Sequence, residues 1–249
     1  MRWGLLLLLA SMLCLFAGGL YSASTTALPK EPTRSIGLPM NGRLQQGAAL
    51  PKRGQGYEVM DITMERRHRF GTRELVQLVA DAGAQVFRKH RGMPLQVGDL
   101  SRYRGGRIEH HGSHQNGRDV DFAFYMRDRN GNPAKPTAFI PFDKNGYSVE
   151  PAMKYRFDDQ RNWALVSALL QSKRADVQWI FVSDALKRRL LQEAEDTGAP
   201  ASLVRRAQQT LKQPKESAHW DHFHVRILCP VHQLPECRDI GPTWARSKR

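Results

Sequence analysis

The histidines of this chain are unevenly distributed, and their clusters hold the side chains best suited to chemistry. Of nine histidines in 249 residues, six fall in two short stretches, residues 109–121 and residues 219–224. Imidazole nitrogens bind metal ions and exchange protons near neutral pH. The sequence therefore predicts a metal site or an acid–base site built from these two stretches.

The second stretch has a pattern typical of a strand that lines a site. If residues 222–228 form a strand, His222 and His224 share one face with Arg226, and the apolar residues between them take the other face. A lone buried histidine is more often a hydrogen-bonded core residue than a ligand. Two histidines on one face, with His219 three positions upstream, favour metal binding or catalysis.

The first stretch ends in a carboxylate on a strand that is otherwise apolar. Alternation along this strand points Asp121 away from the aromatic face, where an unpaired charge would be costly. His114 lies seven residues earlier, before an Asn116-Gly117 turn that can fold it back beside Asp121. Together with His224, these residues offer zinc three ligands and leave a fourth position open to water. The alternative is that Asp121 pairs with an arginine such as Arg118 while the histidines lie scattered on the surface.

Hydrophobic periodicity predicts the elements that must position these side chains. Helices are expected over residues 72–89, 160–172, 183–198 and 200–211, with Thr72 and Ser183 as N-caps. Strands are expected over residues 94–99, 119–125, 177–182 and 225–228, and a long loop over residues 128–151. The expected fold is one α+β domain with a central antiparallel sheet that carries the zinc site and is flanked by helices.

The N-terminal sequence differs in character from the rest. Arg2 precedes an almost wholly apolar run from Gly4 to Leu20, the pattern of an export signal, and we assign residues 1–23 to it. The run is nearly long enough to span a bilayer, so an uncleaved membrane anchor is the alternative. Residues 24–56 are expected to form an extended arm, followed by the domain that holds the site in residues 57–249.

The chain is strongly basic, with a formal net charge of +14. A basic surface can serve nucleic acid, anionic lipid or an anionic polymer, and net charge does not choose among them. The export signal argues against nucleic acid as the partner.

Two cysteines, Cys229 and Cys237, lie beyond the apolar N-terminal run. In an oxidising compartment such a pair usually forms a disulfide, which is what we expect here. Two metal-binding thiolates are the alternative, but they lack any further partner cysteine.

Several segments, in order along the chain, resemble the penicillin-insensitive murein endopeptidase family, which groups with lysostaphin-type enzymes, D-Ala-D-Ala metallopeptidases and hedgehog domains. The segments that carry the resemblance are Ser35-Ile36-Gly37, Asn41-Gly42, Gly105-Gly106-Arg107, Ser113-His114-Gln115, Asp119-Val120-Asp121, Ile180-Phe181-Val182, Ala185-Leu186-Lys187 and His222-Phe223-His224-Val225-Arg226 with Cys229-Pro230. They extend over nearly all of the chain after the signal. Residues 57–249 would then be a zinc peptidase domain.

The resemblance implies roles for the clustered side chains. The residues that it places at one catalytic zinc ion are His114, Asp121, His224 and His111, the last at or near the metal. His222 would act on the attacking water as a base or electrostatic partner, with His219 as its companion. Family members can hold a second metal between subunits through a histidine and an aspartate, but residues 142–148 contain no histidine here. We therefore expect one zinc ion and leave the oligomeric state open.

The resemblance also implies a substrate, the D-alanyl-meso-diaminopimelyl cross-links of peptidoglycan in the periplasm. A D,D- or L,D-carboxypeptidase that trims stem peptides would need the same metal chemistry and is the first alternative. A non-catalytic zinc-bearing module that binds the cell wall is the second. The presence of His219 and His222 beside the ligands favours an enzyme, because a module that only binds has no need of them.

Overall fold

The computed structural model of the chain describes residues 32–150 and 153–246. The predicted export signal and the first residues of the predicted arm lie outside the described residues. None of the helices in these two ranges combines the length and the apolar character that a bilayer span requires.

Helices and strands are interspersed along the described part of the chain. Its helices are α1 (Asp61–Arg66), α2 (Arg73–Lys89), α3 (Asp159–Gln171), α4 (Asp184–Asp196) and α5 (Ala201–Thr210). Its first seven strands are β1 (Arg34–Leu38), β2 (Asn41–Gln45), β3 (Ala48–Ala49), β4 (Arg53–Gly54), β5 (Tyr57–Val59), β6 (Phe70–Gly71) and β7 (Leu95–Val97). The others are β8 (Asp119–Ala123), β9 (Met126–Arg127), β10 (Pro133–Ala134), β11 (Arg156–Phe157), β12 (Val177–Phe181), β13 (Leu211–Lys212) and β14 (His222–Ile227).

A seven-stranded mixed sheet forms the centre of the domain, in the order β13-β12-β14-β8-β7-β5-β4. Strand β14 pairs antiparallel with β12 and with β8, and β8 pairs antiparallel with β7. Parallel pairs lie nearer the edges, where β13 joins β12 and β5 joins β7. The predicted α+β domain with a sheet flanked by helices is confirmed. The antiparallel arrangement holds for the four central strands, whereas the sheet as a whole is mixed.

Helices α2 to α5 form where the sequence predicts them, and α2, α3 and α4 each begin at a side chain that caps the helix. The side-chain oxygens of Thr72 and Ser183 cap α2 and α4, each accepting from a backbone N–H three residues on at 3.3 Å. Asp158 caps α3 in the same way, so that helix begins one residue before the predicted start. The apolar sides of these helices share one core with β8, β12 and β14.

Side chains of β8 and β14 alternate between this core and the opposite face of the sheet. Phe223 pairs with Phe122 on the core side, whereas His224 pairs with Asp121 on the other side. Phe124 continues the core side, with its ring centroid 4.7 Å from that of Phe223. Because the apolar side chains share one face, the histidines and the carboxylate share the other.

Much of the region predicted as an extended arm carries short strands, β1 to β4, within residues 33–56. β1 and β2 form a hairpin against the C-terminal segment, where the Ser35 backbone N–H donates to the side-chain oxygen of Gln233 at 2.7 Å. Leu44 and Leu50 are buried, and β4 joins the edge of the central sheet. These strands escape periodicity analysis because they are only two to five residues long. The domain boundary at residue 57 stays a prediction.

Cys229 and Cys237 form the predicted disulfide. The bond closes a loop directly after β14, and Cys237 also makes a parallel bridge to Gly37 in β1. The C-terminal segment is thereby tied both to the strand that carries the histidines and to the N-terminal hairpin.

We predict that Phe124→Ala lowers the free energy of unfolding by about 3–5 kcal/mol, because it leaves a cavity among packed aromatic rings. Urea denaturation of the purified protein measures the change. Tyr103→Ala is the control, since Tyr103 is 45% exposed and should cost much less. Equal costs for the two variants would contradict this packing.

Candidate metal centre

Asp121 and His114 are fully buried and lie side by side. Asp121 is on β8, and its carboxylate points away from the core. His114 lies in the preceding loop with a φ of 65°, a left-handed backbone conformation that turns its ring towards the strand. His114 Nε2 lies 3.3 Å from Asp121 Oδ1. Arg118 does not pair with Asp121 but with Asp239, at 2.7 Å.

Two further histidines, His111 and His224, approach the same carboxylate. His111 Nδ1 lies 3.6 Å from Asp121 Oδ2, and His224 Nδ1 lies 3.5 Å from Asp121 Oδ1. Ligand atoms of His111, His114 and Asp121 all lie within 4.8 Å of one another, close enough to hold one metal ion. His224 falls outside that group of three, although its ring centroid is 4.6 Å from that of His114.

The hydrogen bonds around His114 and Asp121 leave two kinds of acceptor facing each other, an imidazole nitrogen and the carboxylate oxygens. A carbonyl oxygen only accepts, so His114 Nδ1 donates to the Leu100 oxygen at 2.7 Å, and the neutral ring has its lone pair on Nε2. That nitrogen and both carboxylate oxygens of Asp121 are buried and make no hydrogen bond within the described residues. Facing acceptors without a proton or a cation between them are costly. The set of imidazole nitrogens and a carboxylate oxygen fits a metal ion such as zinc.

The electrostatics of the group also favour a positive charge. Burial by itself would lower the pKa of His114, but the Asp121 carboxylate raises it to about 9. Burial would raise the pKa of Asp121, yet His114 and His222 hold it far below its ordinary value. Burial lowers the pKa of His224 to about 4, which keeps that ring neutral and able to offer a lone pair.

His222 lies on the same face of β14, at the more open side of the group. Its Nδ1 is 2.7 Å from Asp221 Oδ1, and its Nε2 is 3.7 Å from Asp121 Oδ1. Burial opposes protonation, but Asp121 and Asp221 raise the pKa of His222 above its ordinary value. Phe139, from the long loop before α3, stacks on the ring with 4.5 Å between centroids and thereby restricts its movement. No local sequence pattern marks Phe139 as part of the site.

His219 lies in the segment before β14 with a φ of 43°. Its ring centroid is 5.2 Å from that of His222 and 5.8 Å from that of His224. Burial and the nearby His222 lower the pKa of His219. The two histidines therefore lie side by side at the candidate metal centre, and one is protonated more readily than the other.

The profile of the family described as penicillin-insensitive murein endopeptidase matches residues 35–246. The chain belongs to this family. A relative of that name in Klebsiella pneumoniae (strain ATCC 700721 / MGH 78578) is 32% identical over 216 residues, which cover 84% of this chain and 71% of the relative. A relative of the same name in Escherichia coli O1:K1 / APEC is 31% identical over 230 residues, which cover 88% and 77% of the two chains. The resemblance found in the sequence is confirmed.

Residues 142–148, which lack the histidine expected for a second metal site, form a tight turn that is bridged from Phe142 to Ser148. Asp143 Oδ1 accepts from the backbone N–H groups of Asn145 and Tyr147, at 2.9 Å each. The carboxylate is thus used to stabilise the turn. The expectation of a single zinc ion stays a prediction.

Asp119 is one of two carboxylates that contact the clustered histidines, and the sequence predicted no role for it in the site. Its Oδ1 accepts from His224 Nε2 at 2.9 Å and from Arg226 Nε at 2.6 Å. This bond places the proton of the neutral His224 ring on Nε2 and turns Nδ1 towards Asp121. Strand alternation could have identified Asp119, because it lies two residues before Asp121 on the same face.

Asp99 is the second of these carboxylates, and it contacts one ring nitrogen of His111. Its Oδ2 lies 3.3 Å from His111 Nε2 and 3.2 Å from His68 Nδ1, while its Oδ1 accepts from the Thr63 hydroxyl at 2.8 Å. These contacts leave His111 Nδ1 facing the Asp121 carboxylate. Asp99 follows β7 without any local pattern that marks it, so only the folded chain reveals its position.

We predict that Asp119→Asn lowers the affinity for zinc about 10- to 100-fold, because His224 loses the charged partner that orients its ring. Competition with a chelator of known affinity measures the change, and circular dichroism establishes that the variant is folded. Asp81→Asn is the matched control, since Asp81 lies on α2 and forms an exposed ion pair with Arg174. Equal zinc affinity in the two variants would show that Asp119 does not support the ligand.

Proposed function

We propose that this chain is a zinc-dependent endopeptidase that hydrolyses D-alanyl-meso-diaminopimelyl cross-links of peptidoglycan in the periplasm. The observation that carries the proposal is the buried Asp121 carboxylate, whose two oxygens face imidazole nitrogens and make no hydrogen bond within the described residues. Membership of the murein endopeptidase family supports the substrate. The two relatives are named for an activity on the same polymer.

The proposed zinc ligands are His114 through Nε2, Asp121 through its carboxylate and His224 through Nδ1, which leave one position open to water. His111 lies at or near the metal, with its Nδ1 facing the Asp121 carboxylate. These are the atoms that the bonds to Leu100, Asp119 and Asp99 leave facing inward. When bound, zinc supplies Lewis-acid chemistry, which activates water and polarises the scissile carbonyl. Burial of the ligands in a folded sheet keeps the site arranged before substrate arrives.

His222 is the proposed general base. The contact with Asp221 places the proton of the neutral ring on Nδ1 and leaves the lone pair on Nε2, which faces the Asp121 side of the site. His222 Nε2 can take a proton from the attacking water and pass it to the amine that leaves. The raised pKa of His222 makes it a stronger base than an ordinary histidine. Phe139 and Asp221 together hold the ring in position for both transfers.

His219 is the proposed companion of His222. Its lowered pKa keeps it neutral when His222 has accepted a proton, so the two rings do not repel each other as two cations. In the neutral ring the Ser217 carbonyl oxygen, 3.4 Å from Nδ1, places the N–H group on Nδ1 and leaves on Nε2 a lone pair that can accept a hydrogen bond at the site.

Export to the periplasm is supported by where the substrate lies and by the chemistry of the chain. Peptidoglycan lies outside the inner membrane, so an enzyme that acts on it must leave the cytoplasm. The disulfide between Cys229 and Cys237 agrees with an oxidising compartment. The proposed signal in residues 1–23 would direct the export.

We predict that His222→Ala retains zinc but loses about 10²- to 10⁴-fold in kcat, because the proton relay is removed while the ligands remain. His114→Ala, Asp121→Ala and His224→Ala should each lose both zinc and activity. Metal content by mass spectrometry and turnover of purified cross-linked muropeptide dimers measure the two effects. His232→Ala is the control, since this histidine is exposed and its ion-pair partner is Glu74. Full activity in a metal-free His224→Ala protein would overturn the scheme.

We predict that a chelator abolishes cleavage of cross-linked dimers and that added zinc restores it. The products, identified by mass, should be two monomers from each D-alanyl-diaminopimelyl dimer. Release of only a terminal alanine would instead indicate a carboxypeptidase. Binding of peptidoglycan without any product would indicate a module that only binds.

A further inference from the structure

An aromatic strip, made of Trp244, Trp179 and Phe181, runs along the outer face of β12 to the metal centre. The Trp179 ring centroid lies 6.0 Å from that of Trp244 and 6.1 Å from that of Phe181. The Phe181 ring in turn lies 5.3 Å from His224 and 5.7 Å from His219. The aromatic strip therefore starts at the proposed catalytic residues and leads away from them.

The aromatic strip lies on the side of β12 that the core does not use. Ile180 and Val182 are fully buried against the helices, whereas Trp179 and Phe181 are half-buried and Trp244 is 44% exposed. The fold needs large apolar side chains only on the inner face of this strand. Contiguous exposed apolar groups beside a reactive site are a mark of ligand binding.

Positive charge borders the aromatic strip. Lys212 on the edge strand β13 places its ammonium group 5.0 Å from the centre of the Trp179 ring. Arg226 on β14 places its guanidinium carbon 5.8 Å from the centre of the Phe181 ring. Arg226 is paired with Asp119, whereas Lys212 makes no ion pair with a carboxylate in the described part of the chain. The surface therefore combines flat apolar rings with a cation free to meet an anionic ligand.

We propose that the aromatic strip binds a glycan strand of peptidoglycan beside the cross-link that is cut, an inference that rests on the proposed function. One face of a pyranose ring is made of C–H groups and packs well on an aromatic ring, whose own face is apolar and electron-rich. An extended stem peptide offers no such flat face. The carboxylates of the stem peptide complement Lys212, which adds electrostatic attraction next to the sugar.

The length of the stem peptide agrees with this position of the glycan. Three or four residues separate the scissile bond from the sugar, and an extended chain of that length reaches about 10–14 Å. The ring centroid of Phe181 lies 5.3 Å from that of His224, and the ring centroid of Trp179 lies 6.1 Å beyond that of Phe181. A sugar at the end of the stem would therefore meet Trp179 and Trp244 when the cross-link lies at the metal centre.

Binding to glycan strands stripped of all peptides tests the inference directly, because this probe has no cross-link to cut. The wild-type protein should bind the stripped strands, and Trp179→Ala and Trp244→Ala should each weaken binding about tenfold. Trp179→Phe should keep most of the affinity, since it retains an aromatic face. Tyr103→Ala, which removes an exposed aromatic ring elsewhere, should bind as the wild type does. Equal binding by all of these proteins, or no binding by the wild type, would overturn the inference.

Cleavage gives a second readout that separates this inference from the proposed function. Cross-linked dimers with and without their disaccharides are compared, and the ratio of the two kcat/KM values should fall about tenfold in Trp179→Ala. An unchanged ratio in a protein that cleaves both dimers would refute glycan binding and leave the endopeptidase intact. If the wild type cleaves neither dimer but its glycan binding still depends on the tryptophans, the proposed endopeptidase activity is refuted and the glycan-binding inference is not. A change of oligomeric state in Trp179→Ala, measured by sedimentation, would assign the strip to contact between copies of the chain instead.

Discussion

A buried carboxylate without a hydrogen bond is the constraint around which this structure is organised. Asp121 is fully buried, yet its oxygens make no hydrogen bond within the described residues and face imidazole nitrogens at 3.3–3.6 Å. A charge in such a place is tolerated only beside a compensating positive charge. The pKa of His114, raised to about 9, shows how strongly the group attracts one. Holding a metal ion is the chemical use that fits this arrangement best.

Residues around this group fix the orientation of three of its histidines, His114, His224 and His111. Leu100, Asp119 and Asp99 each engage one nitrogen of a ring and leave the other nitrogen facing Asp121. The ring tautomers thus follow from contacts outside the group. The two faces of the sheet have different roles. Residues of β8, β12 and β14 alternate between a packed core and a face that carries the histidines and aromatic rings.

Much of the fold and part of the site could be predicted because they depend on local patterns. The apolar period and the capping residues Thr72 and Ser183 predicted α2 and α4, and alternation in β8 and β14 predicted the face of Asp121 and His224. The short strands β1 to β4 and the helix α1 were missed, because segments of two to six residues show no measurable period. The mixed order of the sheet was missed as well, since strand pairing is set by contacts between distant segments.

By itself, the sequence determined which residue types could hold a metal, which strand face they would occupy and which family they resemble. Only the tertiary structure decided which carboxylates would orient the rings, since Asp99 lies 12 residues from His111 and Asp119 lies 105 residues from His224. It also placed Phe139 on His222 and aligned Trp244 with β12. Such contacts join segments that carry no common pattern, because packing, not local periodicity, brings them together.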